Sequence, residues 1–331
     1  MKPLSAALAA IAVIATLSLL GPKPVRLGSP PTGDAALAEI LTDNHEAGQR
    51  NLTAFTINGD QSTFAGLGAD ETTEVEIGSV TKMFTAEILH QEVESGKLQL
   101  DTTVGEIIEV GDAPVSSVTL EELMNHTSGL PRLANSNLVA DFATTITGAN
   151  PYQGETVADN IEAATQSKLK GRGEKSYSNL GYALLGHILE KSTGKPFAEL
   201  VQERIFTPAE MTDSYVMTPG SVAEDAPRGR LINGRTAEPW EMDGAAPAGA
   251  IRSTAQDMAK FAHWMMDNGD FSYGWLPNSA ENGGGFWHNG GTYGYSTMLI
   301  IDPSTSQAVF VNNDTDIGTE ALARTIKRGL S

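Results

Sequence analysis

Ile77-Gly-Ser-Val-Thr-Lys-Met-Phe-Thr85 is the stretch around which the rest of this sequence is organised. It opens with small and polar residues, and apolar residues then recur at three- and four-residue steps, which is typical of a helix. Gly78 gives the backbone room for a sharp turn, and Ser79 stands where the first helical turn begins. Because residues three apart share a helix face, Lys82 lies one turn beyond Ser79 with its amine beside the hydroxyl.

This Ser-x-x-Lys pair suits nucleophilic chemistry. A buried amine can take the proton of a hydroxyl, and the free N–H groups of a helix start favour an oxyanion forming there. Ser79 and Lys82 are therefore a chemically sensible acylation site. The alternative is ordinary: many helices begin with a serine cap and carry a solvated lysine in the first turn.

Composition narrows the class of protein. The chain has 331 residues, of which 40% are hydrophobic and 19% charged, so we expect a folded protein with a large core. Its net charge is −19, and such an acidic surface would repel nucleic acid. The absence of cysteine excludes disulfides and thiolate catalysis, and the six histidines form no close pair suited to zinc. We predict no metal, no other cofactor and no nucleic-acid partner.

The N-terminus has the pattern of an export segment. Lys2 precedes an apolar run from Leu4 to Leu20, which is long for a cleaved signal and short for a membrane span. We predict residues 1–30 to be an export signal or an N-terminal membrane anchor with a linker, and the linker composition extends over Gly28 to Gly33. The catalytic part would then lie outside the cytoplasmic membrane: secreted, periplasmic or held at its outer face. A buried helix of a soluble domain is the alternative.

Two local signals indicate secondary structure. Asn58-Gly59 separates two strand-like segments, and this dipeptide is a strong hairpin signal. Thr119 and Glu122 form a capping box at the start of a helix. Strand-like segments lie near both ends of the chain, and helix-like segments lie between them.

The economical arrangement of these segments is an α/β protein of the α+β type. One antiparallel sheet is built from both ends of the chain and flanked by terminal helices, and a helical lobe is inserted. We predict a catalytic domain over residues 31–331, with a sheet lobe from about 34–100 and 250–331 and a helical lobe from about 101–249. The cleft would lie between the lobes, with Ser79 at its floor.

Two further motifs could carry chemistry. Tyr177 and Asn179 stand in a loop before an apolar helix; an activated tyrosine is a base, and an asparagine can donate to a substrate carbonyl. His288-Asn-Gly-Gly291 lies where a strand runs into a glycine pair, which lets a substrate backbone approach the strand edge. His288 could bind a carboxylate or shuttle a proton. The alternatives are a packed loop tyrosine with a capping asparagine, and a strand-end turn with a surface histidine.

Taken together and in this order, three motifs resemble those of the serine penicillin-recognising superfamily, and most closely its class C β-lactamase and DD-peptidase group. They are Ser79-x-x-Lys82, Tyr177-x-Asn179 and His288-x-Gly290. The loop from His126 to Leu130 also looks like that group, and we expect it to shape the border of the cleft. The resemblance covers about Phe64 to Asn313 and implies a β-lactamase/transpeptidase-like fold.

The resemblance also implies roles for individual residues. Ser79 would be the acylated nucleophile, and Lys82 and Tyr177 would share its proton, with Tyr177 delivering it to the leaving group. Asn179 would orient the substrate amide. The N–H groups of Ser79 and Gly291 would form the oxyanion hole, beside the substrate-binding His288 and Gly290.

One departure bears on the substrate. Most class C β-lactamases have Lys-Thr-Gly as the third motif, whereas this chain has His288-Asn289-Gly290. Lysine carries a permanent charge, but a histidine near its unperturbed pKa of about 6.5 is only partly charged. Histidine in this position resembles certain DD-carboxypeptidases and D-aminopeptidases of the group.

We therefore predict an exported serine hydrolase that works through an acyl-enzyme on Ser79 and resembles D-alanyl-D-alanine carboxypeptidases. Its partner would be a small molecule or a peptide: a peptidoglycan stem peptide, a β-lactam or an ester. The alternatives within this class are a class C-type β-lactamase and a small-ester hydrolase. The alternative from another class is a non-catalytic binding or sensor protein of the cell envelope.

Overall fold

The computed structural model describes residues 25–135 and 138–330, with residues 138–142 described by their backbone only. Residues 1–24, which are most of the segment predicted for export (residues 1–30), lie outside these described residues. Within the described ranges, no helix combines the length and the apolar character needed to cross a bilayer.

The strands, in chain order, are Pro31–Gly33 (β1), Leu52–Asn58 (β2), Gln61–Leu67 (β3), Val75–Glu76 (β4), Tyr215–Val216 (β5), Ile251–Ser253 (β6), Leu276–Pro277 (β7), Phe286–Gly291 (β8), Ser296–Asp302 (β9) and Gln307–Asn313 (β10). The α-helices are Ala35–Asn44 (α1), Thr81–Glu94 (α2), Val104–Ile107 (α3), Leu120–Met124 (α4), Leu138–Thr147 (α5), Val157–Thr165 (α6), Asn179–Thr193 (α7), Phe197–Val201 (α8), Ala246–Gly249 (α9), Ala255–Asn268 (α10) and Glu320–Gly329 (α11).

Seven of these strands form one sheet in the order β1-β3-β2-β10-β9-β8-β7, and all neighbours are antiparallel. The two ends of the chain meet where β2 pairs with β10. Phe55 lies opposite Phe310 there, and their rings stack with centroids 5.5 Å apart. The predicted fold class, an antiparallel sheet built from both termini with helices inserted, is confirmed.

Both faces of the sheet are covered. On one face, Leu41 of α1 and Ile326 of α11 pack with Met298 and Val309 in a buried cluster. On the other face, residues of α2, α7 and α10 join Phe310 in the larger core. The terminal helices therefore flank the sheet as predicted, because each has one apolar side and no other surface to bury it against.

The local predictions have mixed outcomes. Asn58 pairs with Gln61 across a two-residue turn, so the hairpin is confirmed. Thr119 and Glu122 make both hydrogen bonds of the capping box, at 3.2 and 2.9 Å. The linker prediction is wrong for residues 31–33, which pair with β3 as an edge strand. The division into a sheet lobe and a helical lobe stays a prediction.

The start of α2 is built to receive another strand. After β4, Gly78 takes a φ of +50°, and a short 3-10 turn over Gly78–Val80 leads into the helix. A Cβ on Gly78 would lie 2.6 Å from the amide nitrogen of Gly291. Glycine is thus required twice, for its left-handed backbone and for the close approach of β8.

Candidate active site

The Ser79 hydroxyl lies between two proton-carrying side chains. Lys82 Nζ is 3.1 Å from Ser79 Oγ, and the phenol oxygen of Tyr177 is 2.6 Å from the same atom. Lys82 follows one turn later on the same helix, whereas Tyr177 comes from a loop 98 positions further along the chain. The structure therefore brings together the three residues that the sequence predicts to be catalytic.

The Lys82 amine is fully buried. It donates to the carbonyl oxygen of Ala248 and lies 4.9 Å from the centre of the Tyr177 ring. Among the described residues no carboxylate forms an ion pair with it. Burial, and then the nearby charge of Arg132, lower the pKa of Lys82 well below its ordinary value. The neutral amine, which accepts a proton, is thereby favoured.

Tyr177 is held by the loop that follows α4. The N–H of Ser176 donates to the backbone carbonyl oxygen of His126 at 2.7 Å. The N–H of Ser178 donates to the ring Nδ1 of His126 at 3.2 Å. The His126 ring packs 4.4 Å from the Tyr177 ring, centroid to centroid. Burial raises the pKa of Tyr177, so its hydroxyl is kept as a neutral proton donor. These contacts agree with the shaping role expected of the His126 loop.

Asn179 begins α7 and is held by a residue that sequence reasoning missed. Its Nδ2 donates to the hydroxyl of Tyr152 at 2.8 Å. Its Oδ1 is buried and has no hydrogen-bond partner among the described residues. A buried acceptor without a partner is costly, and a substrate N–H would satisfy it. Tyr152 stands in an Asn-Pro-Tyr loop that carries no sequence signal of a functional role.

Strand β8 closes the site from the other side. A Cβ on Gly290 would lie 1.9 Å from the carbonyl oxygen of Ile77 and 3.0 Å from the amide nitrogen of Ser79. The Ser79 N–H belongs to the first turn of its helix, where no acceptor within the helix is available. Gly291 lines the cleft beside it. The start of α2 and the end of β8 therefore meet at the cleft that Ser79 lines.

His288 differs from the expectation that it is partly charged. Its side chain is buried, and its Nδ1–H donates to the carbonyl oxygen of Asn289 at 2.7 Å. Burial is the main cause that lowers the pKa of His288 to about 3. The expectation rested on a solvated imidazole, and it is corrected here because the folded chain surrounds the ring. Near neutral pH His288 is uncharged.

The cleft in front of Ser79 has a volume of about 410 Å³. Its lining includes three charged residues that sequence reasoning did not single out, namely Arg132, Asp316 and Glu320. Arg132 stands two residues after the end of the predicted loop motif at Leu130, and this is the one signal that the sequence offers. The two acidic residues lie between β10 and the start of α11, where nothing in the sequence points to a site.

The arrangement defines a class of protein. A serine hydroxyl between a buried amine and a phenol, at a helix start that faces a strand edge, is suited to nucleophilic attack on a carbonyl. Such a site is typical of serine hydrolases that act through an acyl-enzyme. The chain belongs to the Beta-lactamase family, whose model matches residues 43–326.

Individual relatives agree with this family. The chain is 31% identical over 255 residues to penicillin-binding protein 4 of Amycolatopsis lactamdurans, covering 70% of this chain and 62% of that protein. It is 27% identical over 236 residues to the D-alanyl-D-alanine-carboxypeptidase/endopeptidase AmpH of Escherichia coli K12, covering 66% of this chain and 57% of that protein. This chain therefore spans less than two thirds of either relative.

A solved structure shows the same fold. The penicillin binding protein of Bacillus halodurans superimposes with a TM-score of 0.73 and 21% identity, covering 88% of this chain and 99% of that one. The fold class and the resemblance inferred from the three motifs are thus confirmed by sequence and structure comparison.

Proposed function

We propose that this protein is a serine hydrolase that acts through an acyl-enzyme on Ser79 and has D-alanyl-D-alanine carboxypeptidase-like specificity. The observation that carries the proposal is the position of Ser79 Oγ, 2.6 Å from the Tyr177 phenol and 3.1 Å from the Lys82 amine. We further propose that the chain works outside the cytoplasmic membrane, on the basis of the export pattern in residues 1–30.

Acylation begins with the Ser79 hydroxyl. Its oxygen forms a bond to the substrate carbonyl carbon, and its proton passes to the neutral amine of Lys82. The lowered pKa of Lys82 favours this direction, because an amine that stays protonated cannot accept. The carbonyl oxygen gains the electron pair and takes up hydrogen bonds from the N–H groups of Ser79 and Gly291.

The leaving group departs with a proton from Tyr177. When the bond between the carbonyl carbon and the leaving nitrogen breaks, the phenol donates to that nitrogen, and the Lys82 ammonium returns a proton to Tyr177. Lys82 is then neutral again and Ser79 is acylated. Deacylation repeats these steps with water as the nucleophile. The raised pKa of Tyr177 supports the role of donor, because the phenol is neutral before the reaction starts.

Asn179 supports the recognition of an amide substrate. Its unpartnered Oδ1 would accept the substrate N–H, while its Nδ2 stays bonded to Tyr152. The relatives support the peptidase assignment, since two of them are a penicillin-binding protein and a D-alanyl-D-alanine carboxypeptidase/endopeptidase. The third motif supports the same choice, because a neutral His288 replaces the permanent charge that most class C β-lactamases have there.

The test measures the mass of the intact protein by mass spectrometry at successive times after benzylpenicillin is added. We expect an adduct of the full mass of penicillin that persists, because slow deacylation is peptidase-like. Ser79→Ala should form no adduct, and Ser221→Ala, at an exposed position, should form it as the wild type does. An adduct on the Ser79→Ala protein would overturn the nucleophile assignment. Rapid loss of the adduct with turnover would instead make the protein a β-lactamase.

A second measurement tests the substrate class. We expect release of D-alanine from a diacetyl-L-lysyl-D-alanyl-D-alanine peptide. Turnover of a p-nitrophenyl ester without any peptide cleavage would make the protein an ester hydrolase. A protein that releases no more than one equivalent of p-nitrophenol, and no D-alanine, would be a binder.

A further inference from the structure

Glu76 ends β4, three residues before Ser79, and its side chain is buried. Its carboxyl accepts hydrogen bonds from the hydroxyl of Thr292 and from the backbone N–H of Trp240. Thr292 directly follows Gly291, the last residue of β8. The carboxyl thus joins the strand before the nucleophile to the end of β8 and to the segment around Trp240.

The backbone of Glu76 is fixed by the central strands of the sheet. Its carbonyl oxygen accepts from Thr297 Oγ1 of β9 and from Asn312 Nδ2 of β10, each at 3.3 Å. Asn312 Nδ2 also donates to Thr297 Oγ1 at 2.6 Å, so these two side chains support each other. Because the sheet holds the main chain of Glu76, the bonds of its side chain hold other segments relative to the turn at Ser79.

The two segments that the carboxyl binds lie on different sides of the site. The Trp240 ring packs edge to face on Tyr152, with centroids 5.2 Å apart, and the Tyr152 hydroxyl accepts from Asn179 Nδ2 at 2.8 Å. On the other side, the end of β8 closes the cleft, which Gly291 lines. A change at Glu76 would therefore reach both the Asn179 side and the β8 side.

The charged and titratable side chains that face Glu76 within the described chain are Arg252 of β6, Arg228 and Tyr295. Arg252 Nη1 lies 3.7 Å from Glu76 Oε1, whereas its Nε donates to Glu74 at 2.7 Å. Burial raises the pKa of Glu76 to about 7, although the bond from Thr292 and the charge of Arg252 act in the opposite direction. The arginines stay charged near this pH, and burial raises the pKa of Tyr295, which stays neutral. Glu76 therefore changes its charge near neutral pH while its neighbours keep theirs.

The strength of the two hydrogen bonds depends on this charge. A carboxylate accepts hydrogen bonds about twice as strong as those between neutral groups. Resting on the proposed acyl-enzyme mechanism, we propose that Glu76 is a positioning residue whose ionised form holds β8 and the Trp240 segment in place around Ser79. Glu76 touches no reacting atom and acts through Thr292 and Trp240. The rate of acylation should then rise when the carboxyl loses its proton.

The experiment compares kcat/KM of Glu76→Gln and of the wild type for p-nitrophenyl acetate, between about pH 5.5 and about pH 8.5. Glutamine resembles the protonated carboxyl, so the two proteins should react alike at the lower pH. At the higher pH the variant should be about tenfold slower, because a loosened reacting centre lowers the rate. The ratio of variant to wild type cancels the titration of Lys82, which both proteins share.

Glu155→Gln is the matched control. Burial raises the pKa of Glu155 to about 7 as well, but its side-chain hydrogen bond goes to Asn160 of α6. This variant removes a carboxyl that titrates in the same range, so its ratio to the wild type should stay near one at both pH values.

Thr292→Val is the second variant, and it tests the inference even where Glu76→Gln does not fold. It keeps the carboxyl and removes one of its donors, so it should slow the reaction at the higher pH more than at the lower pH. Thr292→Ser retains the hydroxyl and should follow the wild type.

A ratio that is lowered equally at every pH would mean a purely structural role for Glu76 and would overturn the inference. A ratio near one throughout would overturn it as well. In both cases turnover that Ser79→Ala abolishes still supports the acyl-enzyme. The expected ratio in an enzyme that does not cleave the D-alanyl peptide supports the inference and removes the peptidase assignment. If no turnover depends on Ser79, the mechanism and the inference are both wrong.

Discussion

Gly290 lies so close to Ile77 that a Cβ on Gly290 would sit 1.9 Å from the carbonyl oxygen of Ile77. This contact joins the edge strand of the site to the turn that carries the nucleophile. The next residue, Gly291, has room: its Cβ would meet nothing closer than the Tyr295 carbonyl oxygen at 3.8 Å. Of these two adjacent glycines, Gly290 is the one that a close backbone contact requires.

Gly290→Ala should separate β8 from the start of α2. We expect kcat/KM for a p-nitrophenyl ester to fall about 100-fold, because a shift of about 1 Å at a reacting centre has this effect. The free energy of unfolding should fall by about 1–3 kcal/mol through overpacking. Gly291→Ala is the matched control and should fold and react within a few-fold of the wild type. Equal losses in the two variants would contradict this account of the contact.

Tyr177→Phe keeps the ring beneath Arg132 and removes the hydroxyl 2.6 Å from Ser79. We expect the acylation rate with an amide substrate to fall about 10²–10⁴-fold, the usual range for general acid–base catalysis. A p-nitrophenyl ester should lose much less, because its leaving group departs without a proton. Single-turnover kinetics on both substrates measures the difference.

Tyr215→Phe is the control for this variant, since the Tyr215 hydroxyl makes only a 3.5 Å contact with Glu74 outside the cleft lining. Equal losses on the amide and the ester in Tyr177→Phe would mean that the phenol does not serve the leaving group.

Tyr152→Phe tests the support of Asn179. Without the 2.8 Å hydrogen bond, the side-chain amide of Asn179 can rotate, so its Oδ1 is no longer held in position to accept the substrate N–H. We expect KM for a peptide substrate to rise about three- to tenfold with little change for a p-nitrophenyl ester. In an Asn179→Ala background, Tyr152→Phe should add nothing, which a double-mutant cycle measures. Independent, additive effects would place Tyr152 outside the site.

His288 should make the protein less stable in acid. In the unfolded chain a histidine binds a proton near pH 6.5, but in the folded protein the pKa of His288 is about 3. Between these values unfolding takes up a proton, so the free energy of unfolding falls as the pH falls. His288→Asn retains a donor toward the Asn289 carbonyl oxygen and removes the titration.

From pH 6.5 to pH 4, the free energy of unfolding should fall less steeply in the His288→Asn protein than in the wild type. We expect the two slopes to differ by about 1.4 kcal/mol per pH unit. Chemical denaturation at several pH values across this range measures the slope. His45→Asn, at an exposed position, is the control variant for this comparison. His126, whose pKa is also lowered to about 3 by burial, should leave a remaining slope of the same sign. An identical slope in wild type and His288→Asn would show that the imidazole is not buried uncharged.

Several features could be predicted because they depend on neighbours in the sequence. The hairpin at Asn58 and the capping box of Thr119 with Glu122 are local hydrogen-bond patterns, and both are present. The composition of residues 31–33 is typical of a linker and predicts one there. They form a strand because the exposed edge of β3 offers unpaired backbone groups, and this depends on where the hairpin lies.

The sequence by itself determined the chemistry available at the nucleophile. Ser79 and Lys82 share a helix face because they are three residues apart, and Gly78 permits the turn before them. Only the tertiary structure decided the charge and the access of the groups around that nucleophile. Burial makes His288 neutral, and the docking of separate loops places Arg132 over Tyr177 and Tyr152 against Asn179. Desolvation and side-chain pairing depend on segments far apart in the chain, so no local pattern encodes them.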